Sequence, residues 1–249
     1  MIFDWLRGRF WCPVCDKTVT RFMPLPREYA DNALRHGFPY FGQGETINVD
    51  SYSCPHCGAS DRERLYALYL KEAITSMPKG KKQRLLHFSP ELALGSFIRH
   101  TGRFDYRSAD LSSPNVDDQI DICRMAKYPT ASFDAFICSH VLEHVTDDRA
   151  ALGELFRILK PGGWGILMVP LLTQIKASVE DPSATSEAAR WRLFGQGDHV
   201  RLYAKQDFLL RIAAAKFNLK ALGEQHIGTR YFERCGFKPG STLYIVSHD

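Results

Sequence analysis

From about residue 84 to the C-terminus, short apolar runs alternate with segments of helical periodicity. The apolar runs and helical segments are, in chain order, residues 84–88, 91–100, 106–109, 133–138, 147–159, 164–169, 206–217, 219–225 and 241–247. Strands that alternate with helices in this way are typical of a parallel sheet whose crossover helices cover both faces. The sequence therefore predicts an α/β fold for this part of the chain.

One connection in this pattern is unusually long. Residues 171–200 are polar and show no clear periodicity. Connections between elements in compact domains are normally much shorter, and long ones are often functional. We expect a lid or substrate loop over residues 171–203, with the rest of residues 81–249 forming the main domain.

Two cysteine pairs distinguish the first 80 residues. They are Cys12-Pro13-Val14-Cys15 and Cys54-Pro55-His56-Cys57, separated by 38 residues. Each pair can present two thiolates to one tetrahedral zinc ion, and four cysteines leave no open coordination position. We therefore predict a zinc-ribbon-like module with a structural zinc ion, in which His56 is a bystander. A pair of redox-active dithiols is the alternative.

The rest of residues 1–80 is interpreted as loops and one helix. Prolines and glycines crowd the segment before the second cysteine pair, so residues 25–48 are expected to be an inserted loop. Apolar residues at helical spacing predict a linking helix over residues 61–77, with Asp61 as its N-cap. The sequence Pro78-Lys79-Gly80 ends that helix.

Bulk composition narrows the functional classes. The chain has 249 residues, of which 45% are hydrophobic and 24% charged, as in ordinary globular proteins. No apolar run reaches the roughly 18 residues that a membrane span needs, and residues 1–7 do not resemble a secretory signal. A net charge of +4 is small for a nucleic-acid-binding protein. Seven cysteines, an odd number, favour a reducing, cytoplasmic setting.

Three motifs occur in order in the α/β region. They are Ser132-Phe133-Asp134, Leu142-Glu143-His144 and Leu159-Lys160-Pro161-Gly162-Gly163. In this order and spacing the segment 84–169 resembles the class I S-adenosylmethionine (SAM)-dependent methyltransferases, in particular the methyltransferase type 11 group. The resemblance implies a Rossmann-like, seven-stranded, mostly parallel sheet with flanking helices. It also implies SAM as the cofactor.

The resemblance assigns cofactor contacts to the carboxyl ends of the strands, where ligands bind in open parallel sheets. Asp110 and the adjacent Leu111 would contact the ribose, and Asp121 with Ile122 would contact the adenine. Ser139, at the end of the central strand, would lie beside the methyl donor.

The first cofactor loop departs from the family pattern. His87 stands where the family has an acidic residue, and Ser89, Glu91 and Ala93 stand where it has glycines, with Pro90 between the first two of these. Side chains narrow the space that glycines leave for a cofactor. One interpretation is that Glu91 binds the methionine ammonium group and Ser89 its carboxylate. The other is that the site is damaged and the domain is not catalytic.

Three histidines are candidate general bases. His140 and His144 are four residues apart, on one face if the intervening turn is helical. His199 lies in a polar segment with Gln196, Asp198 and Arg201. An oxygen nucleophile benefits from a base with a pKa near neutrality. Structural roles for these histidines remain open.

Three functions are consistent with the sequence. The leading one is methyl transfer from SAM to an oxygen or nitrogen atom of a small molecule or of a glycan- or lipid-linked acceptor. The second is an RNA methyltransferase that uses the zinc module to bind RNA, against which the small charge excess argues. The third is a non-catalytic binding protein built on a methyltransferase fold.

Overall fold

The computed structural model describes residues 10–249. The start of the chain, where the sequence predicts no secretory signal, lies outside these residues. The N-terminal part contains two short antiparallel strands and two helices: β1 (Phe10–Trp11), β2 (Thr18–Val19), α1 (Arg27–His36) and α2 (Asp61–Ser76).

Helix α1 lies in the segment that the sequence predicts to be a loop, so that prediction is wrong. Pro26 immediately precedes the helix, and Gly37 ends it in the left-handed conformation, with φ of 70°. Proline at the start and glycine at the end are helix boundaries as well as loop residues. The same residues that suggested a loop therefore bracket a helix.

The predicted linking helix exists as α2, but its N-cap is Ser60 and not Asp61. Ser60 and Glu63 form a capping box, in which the Glu63 carboxylate accepts a hydrogen bond from the Ser60 backbone N–H at 2.8 Å. Asp61 instead accepts from the backbone N–H of Asn48. The buried face of α2, with Leu65 and Tyr66, belongs to the same apolar core as the main sheet.

The main sheet has seven strands, as predicted. Its strands and flanking helices are β3 (Gln83–Phe88), α3 (Leu92–Thr101), β4 (Phe104–Asp110), β5 (Asp118–Gln119), β6 (Phe133–Ser139), α4 (Asp148–Ile158), β7 (Leu159–Met168), α6 (Lys205–Ala214), β11 (Asn218–Leu222) and β12 (Leu243–Ser247). The strand order is β11-β12-β7-β6-β3-β4-β5. The five strands from β7 to β5 are parallel, while β12 and β11 pair in antiparallel fashion. The fold is therefore Rossmann-like.

The predicted elements 147–159 and 164–169 leave Lys160–Gly163 between them as a connection, but this segment does not separate α4 from β7. It lies inside β7, but it is out of register with β6, since Phe133 pairs with Leu159 and Ala135 already pairs with Trp164. Gly162 has φ of 75°, which a side chain would strain. The segment is thus a bulge that leads from the helix into the buried part of the strand.

Residues 171–200 are more ordered than the sequence suggested. They contain β8 (Leu171–Leu172), β9 (Val179–Glu180) and α5 (Glu187–Phe194), and β10 (Arg201–Ala204) follows. Strand β10 lies between β8 and β9 in a small sheet. Helix α5 packs against α1, where the rings of Trp191 and His36 stack at 5.9 Å.

The expected strand over residues 219–225 is shorter than predicted. It ends at Leu222 as β11, and two short helices follow, α7 (Glu224–Ile227) and α8 (Thr229–Arg234). Across residues 10–249, no helix is both long and apolar enough to cross a membrane.

Candidate active site and cysteine cluster

The four paired cysteines lie together in the N-terminal part. The Sγ atoms of Cys12 and Cys57 are 3.7 Å apart, and those of Cys15 and Cys54 are 3.8 Å apart. All four sulfurs lie within 4.8 Å of one another. A tetrahedron of thiolates with zinc–sulfur bonds of about 2.3 Å has edges of about 3.8 Å. The cluster therefore has the dimensions of a tetrahedral zinc site.

The two cysteine turns have the same backbone design. In each, the first cysteine's carbonyl accepts a hydrogen bond from the residue after the second cysteine, Asp16 or Gly58. Both of these residues adopt the left-handed backbone conformation, with φ of 62° for Asp16 and 76° for Gly58. Glycine adopts this conformation freely, whereas the Asp16 carboxylate is held by Trp11 and Lys71.

Three of the predicted cofactor residues meet at one edge of the main sheet. Ser89 follows β3, Asp110 ends β4 and Ser139 ends β6, and these strands are parallel neighbours. Their side chains therefore lie at the carboxyl edge, where an open α/β sheet binds its ligands.

In the altered loop, Glu91 faces this edge and His87 does not. His87 is fully buried, with one ring nitrogen 3.1 Å from the Tyr106 hydroxyl and the other 3.0 Å from the Glu91 carboxylate. Burial alone would raise the pKa of Glu91, but His87 and Arg62 lower it to about 2. His87 thus holds the Glu91 carboxylate in place and favours its charged form. Pro90 lies partly exposed in the loop between the two residues.

Arg62, from α2, was not identified from the sequence. Its Nε lies 3.5 Å from the Glu91 carboxylate and has no hydrogen-bond partner among the described residues. The guanidinium and the carboxylate therefore present opposite charges side by side at the sheet edge. The only sequence signal was the position of Arg62 at the start of a helix that follows the second cysteine pair.

The other predicted cofactor residues occupy different environments. Asp110 accepts a hydrogen bond from the Ser89 hydroxyl at 2.6 Å, and although partial burial opposes it, this bond helps to lower the pKa of Asp110. Leu111 is exposed, Ile122 is buried, and Asp121 accepts from the backbone N–H of Cys123. Asp110 and Leu111 therefore face solvent at the sheet edge, whereas Asp121 bonds to its own loop.

The three candidate histidines surround one buried carboxylate, Glu143. The Nδ1 atom of His140 lies 3.2 Å from Glu143 Oε1, and the rings of His144 and His199 meet edge to face at 4.8 Å. The intervening turn is a single 3₁₀ turn, and His140 is left-handed with φ of 54°. The helical face expected for His140 and His144 is therefore absent, and proximity to Glu143 joins these residues instead.

Electrostatics in this cluster follow from burial and from the pairing of charges. Burial alone would raise the pKa of Glu143, but the neighbouring histidines, His140 first, lower it. Burial lowers the pKa of His199, and Glu143 partly opposes that effect. The Leu142-Glu143-His144 motif is visible in the sequence, but the burial of its glutamate is not.

Arg201 holds the turn that carries Glu143. Its guanidinium, 4% exposed, donates to the backbone carbonyls of Leu142, Val145 and Thr146. It also forms an ion pair with Glu180 at 3.1 Å. The turn thus wraps around one buried cation, which fixes its backbone.

A cavity of about 390 Å³ opens beside the histidine cluster. Its polar lining includes Arg62, His140, Glu143, His144 and His199. Its aromatic walls come from two parts of the chain that are distant in sequence. The N-terminal part contributes Tyr29, Phe38, Tyr40, Phe41 and Tyr52, and α5 contributes Trp191 and Phe194. The N-terminal part therefore contributes directly to the cavity.

Comparison with known families identifies one match. The family model described as "Methyltransferase domain" matches residues 104–167, from β4 to β7. No curated protein matches the chain.

Solved structures with a similar fold are methyltransferases at low sequence identity. The citrinin polyketide synthase CMeT domain is 15% identical with a TM-score of 0.51, over 80% of this chain and 56% of that chain. The CurJ carbon methyltransferase is 15% identical with a TM-score of 0.48, over 76% and 58%. A SAM-dependent methyltransferase from Archaeoglobus fulgidus is 14% identical with a TM-score of 0.47, over 76% and 94%.

This chain spans less than two thirds of the CMeT domain and CurJ structures. At these identities the likeness concerns the fold alone. The segment that matches the methyltransferase family model carries the Leu142-Glu143-His144 and Leu159–Gly163 motifs. The chain therefore combines a Rossmann-like domain, part of which matches the methyltransferase family model, with an N-terminal four-cysteine cluster.

Proposed function

We propose that this protein transfers a methyl group from SAM to an oxygen or nitrogen atom of a small-molecule, glycan-linked or lipid-linked acceptor. The observation that carries the proposal is the cavity lined by Arg62 and by the histidine cluster, in which His140 directly follows Ser139 at the carboxyl end of β6. A methyl acceptor in that cavity would lie next to the expected methyl donor.

The charged side chains at the sheet edge support SAM binding. The cofactor supplies an electrophilic methyl group on a positively charged sulfur. The Glu91 carboxylate, whose pKa is lowered, matches the ammonium group of the methionine part, while the neighbouring Arg62 guanidinium matches its carboxylate. The Asp110 carboxylate suits the two ribose hydroxyls, and exposed Leu111 offers an apolar surface beside them. These residues favour a retained cofactor site despite the altered loop.

The cavity suits a ring-containing acceptor of limited size. Aromatic side chains bind flat apolar rings and the apolar faces of sugars, and they fix orientation without losing much side-chain entropy. Among the cavity residues, His140, His144 and His199 are the candidate bases for an acceptor hydroxyl or amine. Methyl transfer then depends mainly on the alignment of acceptor and donor.

The four-cysteine cluster is proposed to hold a structural zinc ion. Four thiolates at tetrahedral spacing suit zinc, and no position remains for substrate. Because the second cysteine pair immediately precedes α2, the ion would fix the start of the helix that carries Arg62. The zinc ion would therefore support the cofactor edge and the cavity from a distance.

RNA as the acceptor remains the second proposal, and a cytoplasmic setting remains a prediction from the cysteine pattern. The limited volume of the aromatic cavity, about 390 Å³, favours a small acceptor over RNA. Incubation of the protein with labelled SAM and total RNA, at two salt concentrations, would detect RNA methylation directly.

Calorimetry with SAM tests the cofactor proposal. Wild-type protein is expected to bind SAM, and Asp110→Ala is expected to bind it about 10- to 100-fold more weakly, since hydrogen bonds to a charged group contribute about 1.5–3 kcal/mol. Asp105→Ala, an exposed carboxylate at the other end of the same strand, is the matched control and should bind normally.

Absence of SAM binding to folded wild-type protein would refute the enzyme proposal in favour of a binding protein. Equal affinities of the Asp110 and Asp105 variants would show that the ribose is held elsewhere. For any acceptor found, NMR of the product would assign the new methyl group to oxygen, nitrogen or carbon.

A further inference from the structure

We propose that Glu143, His144 and His199 bind a divalent transition-metal ion at the polar end of the cavity, separate from the four-cysteine cluster. One ligand atom from each of the three side chains lies within 4.8 Å of the others. Two imidazoles and one carboxylate form a common ligand set for ions such as zinc, iron and manganese. The cluster therefore has both the dimensions and the chemistry of a metal site.

The state of Glu143 is the second, independent observation. Its side chain is 1% exposed, and neither carboxylate oxygen has a hydrogen-bond partner among the described residues. A buried carboxylate loses its hydration, and the nearby histidines offset that cost only in part, because neither oxygen is hydrogen-bonded. His140 lies near Oε1 but does not satisfy it by hydrogen-bond geometry. A cation coordinated by Glu143 would supply the missing interaction.

The backbone fixes the three residues before any ion binds. Glu143 and His144 are adjacent on the 3₁₀ turn that Arg201 holds. The backbone N–H of Val200 donates to the Glu143 carbonyl at 2.8 Å, which brings His199 beside that turn. A preformed arrangement of this kind lowers the conformational cost of binding an ion.

Neighbouring side chains can orient the ligands. The Nδ1 atom of His144 lies 3.3 Å from the Asp198 carboxylate. Carboxylates that contact ligand histidines commonly fix the orientation of the imidazole ring. Asp198 is therefore assigned as a positioning residue for His144.

Three protein ligands leave coordination positions free toward the cavity, as in catalytic rather than structural metal sites. An ion there would lower the pKa of a coordinated acceptor hydroxyl, whose proton would pass to solvent in the cavity. This role rests on the proposed methyl transfer, whereas binding of the ion does not.

Metal content measured after equilibrium dialysis against Zn²⁺ tests the site. Wild-type protein is expected to hold two zinc ions per chain, one of them in the four-cysteine cluster. The variants Glu143→Gln, His144→Asn and His199→Asn should each hold one tightly and bind the second at least 10-fold more weakly. His100→Asn, an exposed histidine on α3, is the matched control and should keep both ions.

Cobalt substitution distinguishes the two sites in the same proteins. Co²⁺ in the cysteine cluster gives intense thiolate charge-transfer absorption, which the three variants should retain. Loss of that absorption would mark a misfolded variant, and partly exposed His144 is the position whose substitution the fold should tolerate best.

One zinc ion per wild-type chain, or equal second-site affinities in wild type and all three variants, would overturn the metal site. SAM calorimetry separates this failure from that of the proposed function. SAM binding without a second metal would leave the methyltransferase proposal standing. A second metal without SAM binding would leave the metal site standing and refute the methyltransferase proposal.

Discussion

Replacing Cys54 with serine is expected to release zinc, unfold the N-terminal module and abolish methyl transfer. Structural zinc in small modules contributes about 10–16 kcal/mol of binding free energy, and that energy is available for folding. Cys54 is 2% exposed and belongs to a small apolar cluster with Cys12 and Phe22, so loss of the ion would disrupt the packing around the four cysteines. Bound zinc and thermal unfolding of the purified protein measure the effect.

Cys123→Ser is the matched control, because Cys123 lies outside the four-cysteine cluster. It should retain zinc and unfold close to the wild-type temperature. If Cys54→Ser and a chelated wild-type protein both unfolded at the wild-type temperature, the cluster would have no structural role and the redox interpretation would regain support.

Arg201→Met should destabilise the protein by about 3–5 kcal/mol, the usual cost of breaking a buried charge network by removing one partner. Methionine removes the guanidinium that bonds to Leu142, Val145 and Thr146, leaving those carbonyls without this donor. Because the same turn carries Glu143, the cavity should lose its polar end as well. Urea denaturation gives the free energy of unfolding.

Arg192→Met provides the control on a nearby exposed arginine of α5 and should change stability by less than about 0.5 kcal/mol. For Arg201→Met we also expect methyl transfer to fall while SAM binding persists, since the cofactor edge is built from other strands. An Arg201 variant as stable as wild type would show that the three carbonyls find other partners.

The main sheet could be predicted from the sequence because each of its elements carries its own local signal. The apolar runs at residues 84–88 and 133–138 became β3 and β6 within one residue at each end. The four-cysteine cluster could be predicted equally well, since the spacing within each cysteine pair is the one that lets two thiolates bind a single ion. Such features need no knowledge of distant contacts.

Elements that are stabilised by partners distant in sequence could not be predicted from the sequence. Helices α1 and α5 are short, and each gains an apolar surface from the other, as in the contact of His36 with Trp191. Helices of this length are marginal by themselves, so tertiary packing decides whether they form. The positions of Arg62 and Glu143 in the site could not be predicted for a related reason. Only the folded chain brings Arg62 beside Glu91 and directs Glu143 into the cavity.

The shared construction of the cavity has a consequence for how the protein is made. Its aromatic walls come from residues 29–52 and from Trp191 and Phe194, so they meet only after most of the chain has left the ribosome. Contacts between such distant segments carry a large loop-closure cost and form late. A nascent chain would therefore complete the cysteine cluster long before it could recognise an acceptor.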